Sequence, residues 1–354
     1  MDAPTKRTEV SGGATGIDSL ARALRWARLT LTLRAEQPVS LPPYAGSAFR
    51  GAFGHAFKRV ACPLRRECEG CGYRDVCVYA YVFETPGAAD GSPLTRSATV
   101  AHPFVLELPD CPTGEVQPGE AVTVGLVLIG RAIPLAPYFL AACREMVQHG
   151  IGRGRGRLRL ERAVADDPAS AEGRMVYDGD QELLAPAVPP WSVAEIRQES
   201  RGASFDALRM SGKQGGETEG ERRVKLHFLT PTRLRQDADL VVRPDFATLA
   251  TALLRRISVL AEAHCGARAD LDAKAILASA TTVRVEQSDL RWHDWARYSA
   301  RQQTKMNLGG FVGSVTLTGP LAQWLPLLRV GEVVHIGKGT AFGLGKYRLE
   351  EPWS

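Results

Sequence analysis

Residues 25–34, Arg-Trp-Ala-Arg-Leu-Thr-Leu-Thr-Leu-Arg, and residues 45–60, Ala-Gly-Ser-Ala-Phe-Arg-Gly-Ala-Phe-Gly-His-Ala-Phe-Lys-Arg-Val, decide the fold class. In the first stretch Leu29, Leu31 and Leu33 fall on one side of an alternating chain, the period of a half-buried strand. After the Pro42-Pro43 break, Phe49, Ala52, Phe53, Ala56, Phe57 and Val60 recur at helical spacing. A strand followed by an amphipathic helix therefore opens the fold. The order returns with a strand over Ala121–Ile129, a helix over about Leu135–Gln148 and an extended segment over Gly152–Leu160. This alternation predicts an α+β sandwich rather than a doubly wound parallel sheet.

The chain has 354 residues, more than one domain of about 100–200 residues needs. Between Ala185 and Arg222 the sequence turns rich in Pro, Gly, Ser and charge, with little apolar periodicity, so the boundary is expected there. Val224, Leu226 and Phe228 then alternate with Lys225 and His227, and Leu249, Leu253, Ile257 and Leu260 form one helical stripe within 245–265. The second half thus also begins strand, then helix. The expected divisions are a flexible N-terminal extension (1–24), a first domain (25–185), a linker (186–222) and a second domain (223–354). No run of about 18 uncharged apolar residues is available to span a bilayer, and the first two dozen residues lack the apolar segment of a secretory signal. A cytoplasmic protein with no membrane partner is the expectation. With 44 basic against 39 acidic residues, a net charge of +5 permits a polyanionic partner without requiring one.

Three basic segments carry possible phosphate chemistry. Arg153, Arg155, Arg157 and Arg159 alternate with glycine and leucine, so an extended backbone would place four guanidiniums on one face, where planar forks grip phosphate oxygens. A solvated sheet face is the plainer alternative. Arg297, Arg301 and Lys305 are spaced by four, and would share a face with Tyr298 nearby if the stretch were helical. The segment Gly337-Lys338-Gly339-Thr340-Ala341-Phe342-Gly343-Leu344-Gly345-Lys346 is expected between strands over Val330–Ile336 and Tyr347–Leu349. Its glycines could turn successive backbone N–H groups toward a phosphate, with Lys338 and Lys346 adding charge. It is not a nucleotide-binding P-loop, because no Gly-Lys-[Ser/Thr] closes the run at the required spacing.

Four of the seven cysteines crowd together as Cys62-x5-Cys68-x2-Cys71-x5-Cys77. Four thiolates suit a closed tetrahedral Zn²⁺ site that stabilises an insertion, and an iron–sulfur cluster accepts the same ligands. Cys111, Cys143 and Cys265 are scattered and read as small buried apolar residues.

Four blocks occur in order from about residue 41 to 347: Leu41-Pro-Pro-Tyr-Ala-Gly-Ser-Ala-Phe-Arg-Gly-Ala-Phe-Gly-His-Ala-Phe; Phe228-Leu-Thr-Pro-Thr-Arg-Leu; Arg297-Tyr-Ser-Ala-Arg-Gln with Met306-Asn-Leu-Gly-Gly-Phe-Val-Gly; and Gly337–Tyr347. Together they resemble the CRISPR-associated endoribonuclease family six of the RAMP superfamily. The resemblance implies two tandem ferredoxin-like (RRM-like) domains, here with a cysteine-rich insertion at 62–77. It also implies that the glycine-rich loop grips CRISPR repeat RNA, between or across the domains. Cleavage would convert precursor to crRNA by metal-independent attack of the 2′-hydroxyl, leaving a 2′,3′-cyclic phosphate. His55 lies opposite the Phe49/Phe53 face, on the side of Lys58 and Arg59, cations that could stabilise a phosphorane-like transition state. The family pattern, carried over by position, makes His55 the catalytic histidine, with Tyr44 and Lys58 as helpers. Its rival is a catalytically silent RAMP subunit that holds crRNA beside other CRISPR effector subunits.

Overall fold

The computed structural model describes residues 16–64, 68–85, 100–108, 114–185, 187–195, 221–236, 239–268, 271–294, 296–299, 304–307 and 309–351. They divide into two compact units. One comprises Trp26–Pro190 with Gly339–Gly343, and the other Met1–Arg25, Trp191–Lys338 and Leu344–Ser354, each over its described parts.

In the first unit, β1 (Trp26–Ala35) is the strand expected from the Leu29/Leu31/Leu33 alternation. Those leucines are buried while Thr30 is exposed, so one face of the strand meets the core. After β2 (Val39–Leu41) comes α2 (Gly46–Ala61), where α1 denotes Gly16–Ala23; α3 (Val78–Phe83), β3 (Phe104–Glu107) and β4 (Gly114–Val116) follow. Then come β5 (Ala121–Ile129), α4 (Ala136–Gln148), β6 (Leu158–Asp167), β7 (Ser170–Asp178) and β8 (Leu183–Leu184). The antiparallel sheet runs β3-β5-β1-β6-β7-β8. Its β3-β5-β1-β6 core, with α2 and α4 as crossovers, is the split βαβ arrangement of a ferredoxin-like domain.

Aromatic packing joins the two helices. Phe53 and Phe57 of α2 stand 5.8 and 5.0 Å, ring to ring, from Phe139 of α4. Fully burying each such ring contributes about 1.5–3 kcal/mol, so the Phe49/Phe53/Phe57 stripe, not local propensity, holds α2 in place. Val60, grouped with that stripe by spacing, is 37% exposed.

The second unit repeats the plan. It contains β9 (Arg222–Thr232), β10 (Leu234–Gln236), β11 (Asp239–Val241), α5 (Phe246–Cys265), α6 (Ala273–Ala280) and β12 (Arg284–Ser288). It continues through β13 (Arg291–His293), β14 (Ala296–Ser299), β15 (Thr304–Asn307), β16 (Gly310–Gly319), α7 (Leu325–Val334) and β17 (Tyr347–Glu350). Its sheet order, β12-β16-β9-β17, places the first strand between the third and fourth as in the first unit. Asp245 caps α5 through the Thr248 N–H, and Gly266, left-handed at φ 68°, ends it.

Several expectations are corrected. From residue 16 the expected flexible extension is helix α1, whose Ile17, Leu20 and Ala21 are buried in the second unit. Trp191, Ser192 and Val193, assigned to the linker, are buried there too; residues 196–220 lie outside the described residues. The strand expected over Val330–Ile336 is largely helix α7, which Pro326 opens and whose Leu327, Leu328, Val330, Val333 and Val334 are buried. The segment expected to be extended over Gly152–Leu160 turns before β6 starts at Leu158, with Gly152 at φ 75° and Arg155 at φ 53°. The helix considered over Arg297–Lys305 is replaced by the β14–β15 hairpin.

Candidate functional site

Helix α2 holds His55 and Lys58 of the expected site residues. His55 is exposed, with Lys58 and Arg59 half-buried one turn along. Arg59 is anchored by Glu145 of α4, Nε to Oε1 at 2.7 Å, which leaves it less free to meet a ligand. The Lys58 ammonium stands 5.4 Å from the Tyr79 ring centre, close enough for a cation–π interaction that steadies it. An imidazole and an ammonium at i and i+3 share a helix face, and together can accept a proton and stabilise an anion.

Tyr44 is set against the glycine-rich segment. Its hydroxyl donates to the Phe342 carbonyl at 2.8 Å, and burial pushes the phenol well above the usual tyrosine range. This hydrogen bond ties Tyr44 to the backbone of the loop. That loop section makes a 3₁₀ turn over Thr340–Phe342 and clusters with the first unit. Beyond it, Gly345 at φ 76° is so tightly placed that a Cβ would fall 1.8 Å from the Ile336 carbonyl oxygen. Glycine is required there by the loop's own backbone contacts.

The remaining expected RNA-binding residues separate. In the glycine-rich segment, Lys338 is exposed and Lys346 is half-buried, with its backbone N–H donating to Thr230 Oγ1 at 2.9 Å. Gly337 and Gly339 bracket Lys338, and Gly343 ends the turn. Arg153, Arg155 and Arg157 are exposed, but the turn breaks the expected one-sided ladder, and Arg159 is paired with Asp180. A Cβ on Gly152 would meet the Ser40 carbonyl oxygen at 2.1 Å, so this glycine admits the chain's own backbone. Arg301 and the side chains of Arg297 and Lys305 lie outside the described residues.

The four clustered cysteines bridge α2 and α3. Cys62 ends α2 with its N–H on the Lys58 carbonyl, Cys77 caps α3, and the Cys71 N–H donates to the Cys68 carbonyl at 3.2 Å. All four are free thiols. Desolvation pushes the Cys68 thiol up, Lys58 opposes this, and Glu84, Cys77 and Cys62 add to the rise, so Cys62 and Cys77 each lie within electrostatic reach of Cys68. The donor chemistry fits zinc, although among the described residues no three ligating side chains are drawn together as a formed metal site.

Two further groupings combine residues from separate elements. Arg50 lies over the Phe83 ring at 4.6 Å and meets His102 Nε2 through Nη2 at 3.1 Å. In the second unit, Arg235, Arg233 and Arg255 all lie within electrostatic reach of Lys338. Arg233 and Arg235 are neighbours at one strand corner, but Arg255 and Lys338, like Phe83 and His102 beside Arg50, come from distant parts of the sequence, so no spacing pattern announces either whole group.

Comparison with known proteins gives these groups a context. Residues 226–347 match the family model of the CRISPR-associated endoribonuclease Cas6, and residues 24–189 match one described as an N-terminal domain. No curated protein matches the sequence. Among solved structures, a Cas6 product complex is 19% identical with a TM-score of 0.50, over 92% of this chain and 99% of that one. The Thermus thermophilus Cas6 is 17% identical with a TM-score of 0.50 over the same shares, 92% and 99%. A partial Cas6-RT-Cas1–Cas2 complex is 14% identical with a TM-score of 0.53; it is matched over 94% of this chain but 47% of that one. These likenesses show the tandem ferredoxin-like fold. Among the described residues no helix is long and apolar enough to cross a membrane. The match to the Cas6 family of CRISPR-associated endoribonucleases is thus carried by residues 226–347.

Proposed function

We propose that this Cas6-family chain binds CRISPR repeat RNA and cuts it by internal transesterification, without a metal ion in the reaction. The observation that carries the reading is the exposed His55 on α2, one turn from Lys58, in a chain whose C-terminal part matches the endoribonuclease family. His55 takes the proton from the 2′-hydroxyl as that oxygen attacks the adjacent phosphorus. The bond from phosphorus to the 5′-oxygen breaks, leaving a 2′,3′-cyclic phosphate and a 5′-hydroxyl. Lys58 is the nearby cation to stabilise the phosphorane-like charge and supply a proton to the leaving oxygen. Tyr44 positions the glycine-rich loop through the Phe342 carbonyl, and Lys338 and Lys346 add charge for the RNA. The Cas6 product complex and the Cas6-RT-Cas1–Cas2 complex name the kinds of partner this reading implies: processed RNA and other CRISPR proteins.

The test is incubation of purified protein with repeat RNA in excess EDTA. Cleavage with a cyclic-phosphate end is expected; a gel shift with no cleavage would replace the enzyme by a silent crRNA-holding subunit.

Zinc at Cys62, Cys68, Cys71 and Cys77 is the proposed structural partner of the insertion. It would join the end of α2 to the start of α3, and binding would complete the convergence of thiolates, since metal binding and local folding are coupled. One zinc per chain, lost in Cys68→Ser/Cys71→Ser together with a lower Tm, is expected from metal analysis and thermal melting. An absorbance band near ~400 nm would instead indicate an iron–sulfur cluster.

A further inference from the structure

In the second unit, β9 runs through Thr232 into Arg233 and then β10, and the start of the glycine-rich segment is fastened to that corner. The Lys338 N–H donates to the Arg233 carbonyl at 3.0 Å. Gly337, at φ 84°, comes so near that a Cβ would stand 2.4 Å from the same oxygen. The close approach gathers Arg233, Arg235 and Lys338, and Arg255 joins them from α5, which packs beside β10.

Among the described residues none of the four side chains forms an ion pair with a carboxylate, and the Arg233 Nε is buried without a hydrogen-bond partner. Elsewhere the chain pairs its arginines readily, as in Arg34 with Glu161, Arg223 with Glu286 and Arg329 with Glu351. Desolvation pulls the Lys338 ammonium below the usual lysine range, and Arg235, Arg233 and Arg255 push it the same way. Desolvation and Arg235 likewise lower the Arg233 guanidinium. Like charges held together by backbone hydrogen bonds, with an unsatisfied buried donor among them, are destabilising until an anion arrives.

We propose that Arg233, Arg235, Arg255 and Lys338 form a phosphate-binding site that takes successive phosphodiester groups of the RNA strand. The inference rests on the RNA-binding reading above and adds three arginines, of which only Arg233 falls within a quoted motif block, Phe228-Leu-Thr-Pro-Thr-Arg-Leu. Three planar forks and one ammonium, supplied by a strand corner, a loop and a helix, suit a run of phosphates better than one ion. Because the contacts are to backbone phosphate, they set affinity and salt dependence without selecting bases.

The test is fluorescence anisotropy with a 2′-O-methyl repeat RNA, which cannot be cut by transesterification, across a salt series. The proteins are wild type, Arg235→Glu/Arg255→Glu and Arg235→Lys/Arg255→Lys; both positions are exposed, and melting curves check that each variant is folded. The expected result is at least a tenfold loss of affinity for the glutamate variant. Its log K versus log [salt] slope should be shallower by about 0.7 per lost phosphate contact, with most of both restored by lysine. Unchanged affinity and slope in a folded glutamate variant, with wild type binding normally, would overturn this inference alone. If wild type itself binds no repeat RNA, the functional reading fails and this inference falls with it. Displacement by inorganic phosphate beyond that of chloride at equal ionic strength would mark a small-anion site and overturn the assignment to RNA.

Discussion

The segments around Gly152 and Gly345 look alike as sequence, both alternating glycine with cations, yet the structure gives them different surroundings. Both use glycine to admit a carbonyl of the same chain: a Cβ would stand 2.1 Å from the Ser40 oxygen at Gly152 and 1.8 Å from the Ile336 oxygen at Gly345. Their charges diverge. At the first, Arg159 is matched by Asp180 and the other arginines sit on an exposed turn. At the second, Arg235, Arg233 and Arg255 all lie within electrostatic reach of Lys338. Glycine in such a run therefore reports backbone crowding, and unbalanced charge is the better mark of a ligand.

Gly152→Ala and Gly345→Ala break the comparison most severely. Each forces a left-handed alanine against a carbonyl, and a loss of at least about 2 kcal/mol in stability is expected from urea melts. RNA affinity separates them: folded Gly345→Ala should bind repeat RNA at least tenfold more weakly, whereas folded Gly152→Ala should bind within about twofold of wild type. Equal losses of affinity would return the Arg153–Arg157 segment to the RNA site.

Next in size is Tyr44→Phe, which removes the hydrogen bond to the Phe342 carbonyl. A cost of about 0.5–1.5 kcal/mol is expected in thermal or urea unfolding, with cleavage slowed by only a few-fold. A hundredfold fall in the single-turnover rate would put Tyr44 in the chemistry. The smallest effect concerns Arg155, which holds φ 53°. Arg155→Gly relieves that conformation and should raise stability by about 1 kcal/mol or less, while leaving RNA affinity unchanged.

What could be read from the sequence was local and periodic. The leucines of β1 and phenylalanines of α2 have one burial pattern compatible with their spacing, and both elements formed where that spacing placed them. The valine-rich stretch 330–336 lacks that clarity: its β-branched residues suit a strand, but burial of Leu327, Leu328, Val330, Val333 and Val334 makes a helix. Helix α1 was missed because eight residues are too few to display a convincing stripe, and packing into the second unit supplies what propensity does not. At the candidate site, His55 could be placed opposite the apolar face from the wheel alone. The hydrogen bond of Tyr44 to Phe342 and the gathering of Arg233, Arg235, Arg255 and Lys338 depend on residues about a hundred or more positions apart in some pairs. No spacing rule reaches that far.

The assignment of gripping to the loop and cutting to α2 meets its most direct test in His55→Ala. Binding and single-turnover cleavage of repeat RNA are measured side by side at the same salt concentration. The expected result is wild-type affinity with cleavage reduced by about 10²–10⁴-fold, the loss associated with removing a general base. Cleavage at the wild-type rate by the folded variant would contradict it and remove His55 from the mechanism.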